Sequence, residues 1–342
     1  MAAPRPGQRF PHPAAIGGRH GAGHDELEPS VAGTGVSDDE KPKPRLHRAA
    51  TGRMIGPTDV LQLILNGLMA GAILSAPAIG FTAIYAVLRF PNFAVASHMT
   101  IGAFAGYIAN VDLHFSLLPA AAVAFAAAGL TGIVSDAAAL RPLRPAGLIT
   151  ATIASVALTL ALENLVRLAF GNDLRDYDLP IQRDWHFAGL RVGPQQLQDL
   201  AISGAAVLAL FGFLSFTRLG KAMRAVADNP VLASLRGIDP HRIGHLVNFA
   251  AMGMAGLGGM LLGLDTSIDP LTGFRAILAV FAAAVLGGLG SIPGAVLGAL
   301  AIGVAEELSQ LALPPDYRTV VGFLAILLVL SFRPSGILGV RR

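Results

Sequence analysis

The apolar residues of this chain are gathered into long blocks separated by short polar links. Residues 61–88 and 276–305 contain no charged side chain, and each block exceeds the roughly 20 residues that cross a hydrocarbon core. Further apolar blocks cover residues 95–110, 117–138, 148–170, 200–216, 243–264 and 319–332. In lipid every backbone polar group must be satisfied within the protein, and blocks of this length suit helices and are too long for barrel strands. The pattern predicts an all-α, polytopic transmembrane helical bundle of about eight to ten membrane segments, some broken or half-length.

Two blocks resist a simple count. Residues 61–88 carry Pro77 and are longer than one span needs but shorter than two, so a broken helix is one option. One crossing there starts the membrane domain outside; two start it inside. Residues 276–311 are interrupted by GGLGSIPG, where Gly and Pro lower helix propensity, so two helices or half-helices are predicted to meet at residues 290–293.

The links alternate in charge, which orients the bundle because Lys and Arg collect on the cytoplasmic side. VDLHFS has no Lys or Arg and belongs outside, whereas Arg141 and Arg144 place the next link inside. Residues 171–193 mix four Asp with three Arg and read as an external loop. Residues 217–242 carry Arg218, Lys221, Arg224, Arg236 and Arg242 and face the cytoplasm. The link 265–273 is acidic and external, and Arg333, Arg341 and Arg342 put the C-terminus inside.

Residues 1–57 are a different polymer, rich in Pro, Gly, His and charge, and too poor in apolar residues to offset ordering entropy. They are predicted to be a disordered tail ahead of a transmembrane domain at 58–342. No apolar run before Leu61 resembles a signal peptide. Over the whole chain 53% of residues are hydrophobic and 14% charged, too apolar a balance for a soluble fold, where about a quarter are charged. The net charge of +3 follows from the basic loops, so no nucleic-acid partner is inferred. Cysteine is absent, which excludes disulfides and thiolate chemistry.

The motif search removes more classes. There is no phosphate-binding GxxxxGK[ST], no HExxH, no GxSxG and no ligand-spaced cluster of His or carboxylates. The chain is therefore not expected to hydrolyse ATP, to act as an enzyme or to need a metal or other cofactor. The basic loop GKAMRAVADNPVLASLRGID offers the best positive feature. It predicts a short helix capped by Asp228 or Asn229, with Pro230 in its first turn and Gly237 past its end. Such an element suits docking, with small Ala233, Ser234 and Gly237 admitting a partner and Arg224 and Arg236 pairing with its acids. An ordinary positive-inside loop is the plainer reading. Glycine pairs at 67/71, 259/263 and 294/298 suit close helix packing more than gating.

Ionisable groups inside apolar blocks each cost about 2.5–3.5 kcal/mol at the bilayer centre on insertion scales. Glu163 with Asn164, and Glu306 with Glu307, are the clearest. They line a solute path or else bond to neighbouring helices, Glu306 and Glu307 also lying near the external interface. Asn92, His98, Thr100 and Tyr107 are weaker pointers, a lone His98 being more often a structural hydrogen bonder.

The stretches AVLGGLGSIPGAVLGALAIGVAEELSQ, FRPSGILG, RPLRP and GKAMRAVADNPVLASLRGID, in register over residues 61–339, resemble the permease subunits of high-affinity branched-chain amino acid ABC transporters. The resemblance implies an importer in the cell inner (plasma) membrane. An extracytoplasmic solute-binding protein would deliver leucine, isoleucine or valine, and a pair of permease subunits would form the pathway. Separate ABC ATPase subunits would supply the energy. It also implies that Arg224, Ala225, Asn229, Ala233, Gly237 and Ile238 belong to the ATPase-coupling loop, and that Asn164 and Glu306 match residues that family members carry. One departure touches the substrate segment: Asn92-Phe93-Ala94 is followed by Val95-Ala96-Ser97 where the family has His or Gln, Gly and an acid. Permeases for urea and short-chain amides share the architecture, and a self-contained secondary transporter would also use broken helices.

Overall fold

The computed structural model describes residues 56–179, 183–187, 189–314, 317–333 and 336–339. The tail expected to be disordered lies outside the described residues up to position 55. The first helix, α1 (Pro57–Leu88), opens with Pro in its first turn and with the Asp59 carboxylate accepting the Gly56 N–H. It runs unbroken for 32 residues, so the block around Pro77 is one crossing and not a broken helix. The proline is tolerated because its ring seats against Gly258 of a neighbouring helix, where no side chain competes for the space.

Two helices fall short of a full crossing. α2 (Val95–Tyr107) continues through a π turn at Ile108–Asp112, and its N-terminal Phe93 peptide is held by Ser155 and Thr159 of α5 (Leu148–Phe170). Those residues lie roughly 10–17 Å into α5 at 1.5 Å per residue, so α2 starts inside the bundle. α10 (Thr272–Gly287) likewise starts at depth, where the Gly273 N–H donates to Thr100 Oγ1 of α2 at 3.0 Å. Around them stand α3 (Leu117–Ser135), extended through a π turn, α4 (Arg141–Leu143) and a 3₁₀ turn to Ala146, then α6 (Pro194–Phe216), α9 (Pro240–Asp265), α11 (Ile292–Ser309) and α12 (Arg318–Phe332). Among the described residues six helices are long and apolar enough to cross a membrane and two more are shorter and apolar. With α2 they fall within the expected eight to ten segments.

The four most extensive helix contacts in the bundle involve α1 or α9. α1 packs most extensively on α11 while α9 packs on α3, and α1 and α9 cross each other at the centre. α2 follows α1 and α10 follows α9, and the start of each is hydrogen-bonded within the bundle. Small residues permit the crossings. Gly67 and Gly71 lie so close to the Ala299–Val304 backbone of α11 that a Cβ at Gly71 would stand 2.7 Å from the Ala299 carbonyl oxygen. The break at GGLGSIPG falls where predicted, α10 ending at Gly287 and Ser291 Oγ accepting the Gly294 N–H to cap α11. The N–H groups of Ile337 and Leu338 donate to the Leu286 and Gly287 carbonyls, which explains the FRPSGILG segment locally.

One end of the bundle gathers the α1 start, a hairpin of β1 (Trp185–Phe187) and β2 (Leu190–Val192), and the α9–α10 link. Gln62 exchanges hydrogen bonds with the Arg191 backbone, and Arg175 pairs with Ile268 as an isolated bridge. This end carries Asp59, Asp173, Asp176, Asp178, Asp184 and Asp269. The other carries the RPLRP turn and the short helices α7 (Arg218–Asp228) and α8 (Pro230–Leu235). Positive charge places that second end in the cytoplasm, and α1, as a single crossing, begins outside.

Candidate functional site

Two cavities are stacked along the same helices. The outer one, of about 240 Å³, is lined by Ile73 and Leu74 of α1, Leu262 and Asp265 of α9, Thr266 just past its end, Thr272, Arg275, Ala276 and Ala279 of α10, and Glu306 of α11. Arg275, which shares this lining with Asp265 and Glu306, bonds to Asp269 at 2.5 Å. Asp265 also lines an external vestibule of about 610 Å³ with Gln62, Asn66, Asp184 and Gln195, so the two cavities share that residue. The inner cleft, of about 680 Å³, is bounded by Tyr85, Val87 and Arg89 of α1, Val247 and Ala251 of α9, and the 289–293 turn.

An aromatic layer lies between them in helix order. Phe81 of α1, Phe281 of α10 and Phe93 of the α1–α2 connection meet with ring centroids 5.5–6.1 Å apart. Along α1 the outer cavity takes residues 70–74 and the inner cleft residues 83–89, with Phe81 between.

Side chains hold the non-helical backbone that leads into α2. Asn92 is buried and its Oδ1 accepts the Ala94 N–H at 3.0 Å, its Nδ2 having no partner among the described residues. Ser155 Oγ accepts the Phe93 N–H and Thr159 donates to the Phe93 carbonyl, both at 3.0 Å. His98 is fully buried, with Nδ1 2.7 Å from the Ala94 carbonyl and Nε2 3.2 Å from Ser135 Oγ. This places His98 as a structural bridge from α2 to α3. Next to Ser135, Asp136 pairs with Arg144, and His245 and Asn248 of α9 lie against it.

The expected path residues therefore separate. Asn92 and His98 share the α2 break. Glu163 is buried one turn beyond Thr159, with Oε1 unpartnered among the described residues. Asn164, its neighbour, is exposed and donates to its own helix at Leu160. Of these residues Glu306 lines the outer cavity described above, and it faces Gly322 of α12. Asp265, Arg275 and the aromatic layer were not singled out in the sequence. Asp199, buried with Ser203 on the one inward stripe of α6, was also missed.

The cytoplasmic elbow forms as its residues dictate. Asn229 Oδ1 accepts the Leu232 N–H at 2.9 Å, Pro230 opens α8, and Gly237 follows its end at φ +81°, a left-handed turn that favours glycine. Val231, Leu232 and Leu235 are 68%, 55% and 78% exposed, an apolar face beside exposed Arg224. Ala233 turns the other way, 5% exposed in the core with Val226. Ala225 and Ile238 are half-buried against that core. Ala233 thus seats the elbow against the core, on the side away from its exposed apolar face. Asp239 caps α9 through the His241 N–H, a bond that holds its carboxyl below the usual carboxylate range.

Stacked cavities on shared helices, two half-depth helices and a rigid basic elbow define a polytopic membrane permease. Residues 63–330 match the family model described as branched-chain amino acid transport system, permease component. The permease protein LivH of the Escherichia coli K12 high-affinity branched-chain amino acid transport system is 35% identical over 295 residues, which cover 82% of this chain and 95% of that protein. BraD of Pseudomonas aeruginosa is 33% identical over 82% of this chain and 95% of its own length. A probable LivH of Methanocaldococcus jannaschii is 29% identical over 82% of this chain and 93% of its own. The chain belongs to the branched-chain amino acid transport permease family.

Proposed function

We propose that this chain moves branched-chain amino acids inward as the membrane subunit of an ATP-driven importer. The outer cavity carries the reading. Glu306 and Asp265 suit a substrate ammonium, Arg275 and Thr272 suit its carboxylate, and Ile73, Leu74 and Leu262 suit a branched aliphatic side chain. Urea or a short amide would leave that apolar wall unused. The solute would pass from the vestibule to the outer cavity and, once the phenylalanine layer parts, into the inner cleft.

The partners follow from chemistry at each surface. ABC ATPase subunits dock on the elbow, where the exposed apolar face of α8 adjoins Arg224 and Arg236. An extracytoplasmic solute-binding protein meets the acidic end. The outward apolar faces of α5 and α12 meet the lipid bilayer and a second permease subunit.

Uptake of radiolabelled leucine by the assembled transporter, with unlabelled isoleucine, valine or urea as competitors, tests the substrate. Competition by the aliphatic amino acids and none by urea is expected. Competition by urea alone would move the chain to the amide-permease branch.

A further inference from the structure

We propose that Arg89 is a positioning residue that passes movement of the α7–α8 elbow to the phenylalanine layer through residues 89–94. The inference rests on the elbow being the ATPase-docking element.

Arg89 ends α1 with φ 61° and ψ 21°, the left-handed conformation, and its N–H donates to the Tyr85 carbonyl. Helices that stop this way usually do so with glycine, which meets no Cβ penalty there. The backbone turn alone thus gives no reason for an arginine, and the side chain supplies one. Its guanidinium donates to the Ala227 carbonyl in the last turn of α7. Carbonyls in a last helical turn lack intrahelical donors, and the helix dipole there favours a cation. Two residues on, Asn229 caps α8, so the bond falls at the elbow itself.

The other end of the connection is equally fixed. Phe90 is buried, with the Arg144 guanidinium 5.5 Å from its ring centroid. The Phe93 peptide is held on both sides by Ser155 and Thr159, and its ring belongs to the layer between the two cavities. A short non-helical segment pinned at the elbow and at the layer transmits a displacement of one to the other. Arg89 also lines the inner cleft beside Ala227, so its bond spans the space that opens to the cytoplasm.

The test uses the complete transporter in proteoliposomes and reads solute imported per ATP hydrolysed. Arg89→Gly relieves the left-handed backbone and removes the guanidinium, so thermal stability should hold or rise and the ATPase subunits should remain bound. Import per ATP should fall about tenfold, the weight of one hydrogen bond from a charged donor. Arg89→Lys keeps a single cationic donor and should restore most of the loss. Wild-type import per ATP in Arg89→Gly overturns the inference. So does loss of the ATPase subunits from Arg89→Gly alone, which would make Arg89 a docking residue. A drop in thermal stability with no rescue by Lys overturns it as well, marking a structural role. Absence of ATPase subunits from the wild-type preparation, read before any variant, overturns the docking reading and this inference with it.

Discussion

Leu235 offers a clean test of the elbow because its cost to folding and its contribution to docking separate. It is the last residue of α8 and 78% exposed, so Leu235→Ser should change the stability of the isolated subunit by no more than about 0.5 kcal/mol. If an ATPase surface covers it, the lost burial is worth about 1.5–3 kcal/mol. That corresponds to roughly 10- to 150-fold weaker association. The assay is titration of purified ATPase subunits onto the permease in nanodiscs, with thermal unfolding of the permease measured beside it. Unchanged melting with weakened association is expected. Unchanged association would refute the assignment of the exposed α8 face as the docking surface, and a large fall in melting would show that Leu235 packs within the subunit.

Glu306→Gln should lower leucine import about tenfold or more, since it removes a charged acceptor from the outer cavity, while Glu163→Gln, outside both cavities, should leave import within about twofold; initial uptake rates at matched expression check both. Gly71→Val should lower the melting temperature in detergent and cost more than about 1–3 kcal/mol, because the added carbons meet α11 backbone rather than a movable side chain. Phe81→Ala removes a fully buried ring from the layer at a cost of about 3–5 kcal/mol and should let preloaded vesicles lose leucine without ATP; leak rates equal to wild type would argue against the layer as the barrier.

Much of the fold is legible in the order of residues because lipid imposes length and charge rules that act locally. The charge-free blocks, the basic and acidic links, the GGLGSIPG break and the Asn229-Pro230…Gly237 signals each depend on neighbours a few residues away. What escaped depends on distant partners. Pro77 suggests a break, yet Gly258 makes room for its ring and α1 stays whole. The early start of α10 depends on Thr100 of α2, and the entry of α2 on Ser155 and Thr159. Sequence places Glu163, Asn164 and Glu306 at a depth in the bilayer but gives no direction around the helix axis. Glu163 is therefore buried, Asn164 points outward, and Glu306 reaches the outer cavity. Ala233 illustrates the same limit on a six-residue helix, its small size suiting burial as well as contact with a partner.

The most direct test of the account is leucine uptake by proteoliposomes holding this permease, with its binding protein outside and ATP inside, reconstituted with and without the ATPase subunits. Uptake that requires ATP, binding protein and ATPase subunits together is the expected result. Leucine accumulation by the permease alone, driven by an ion gradient, would contradict it and identify a self-contained secondary transporter.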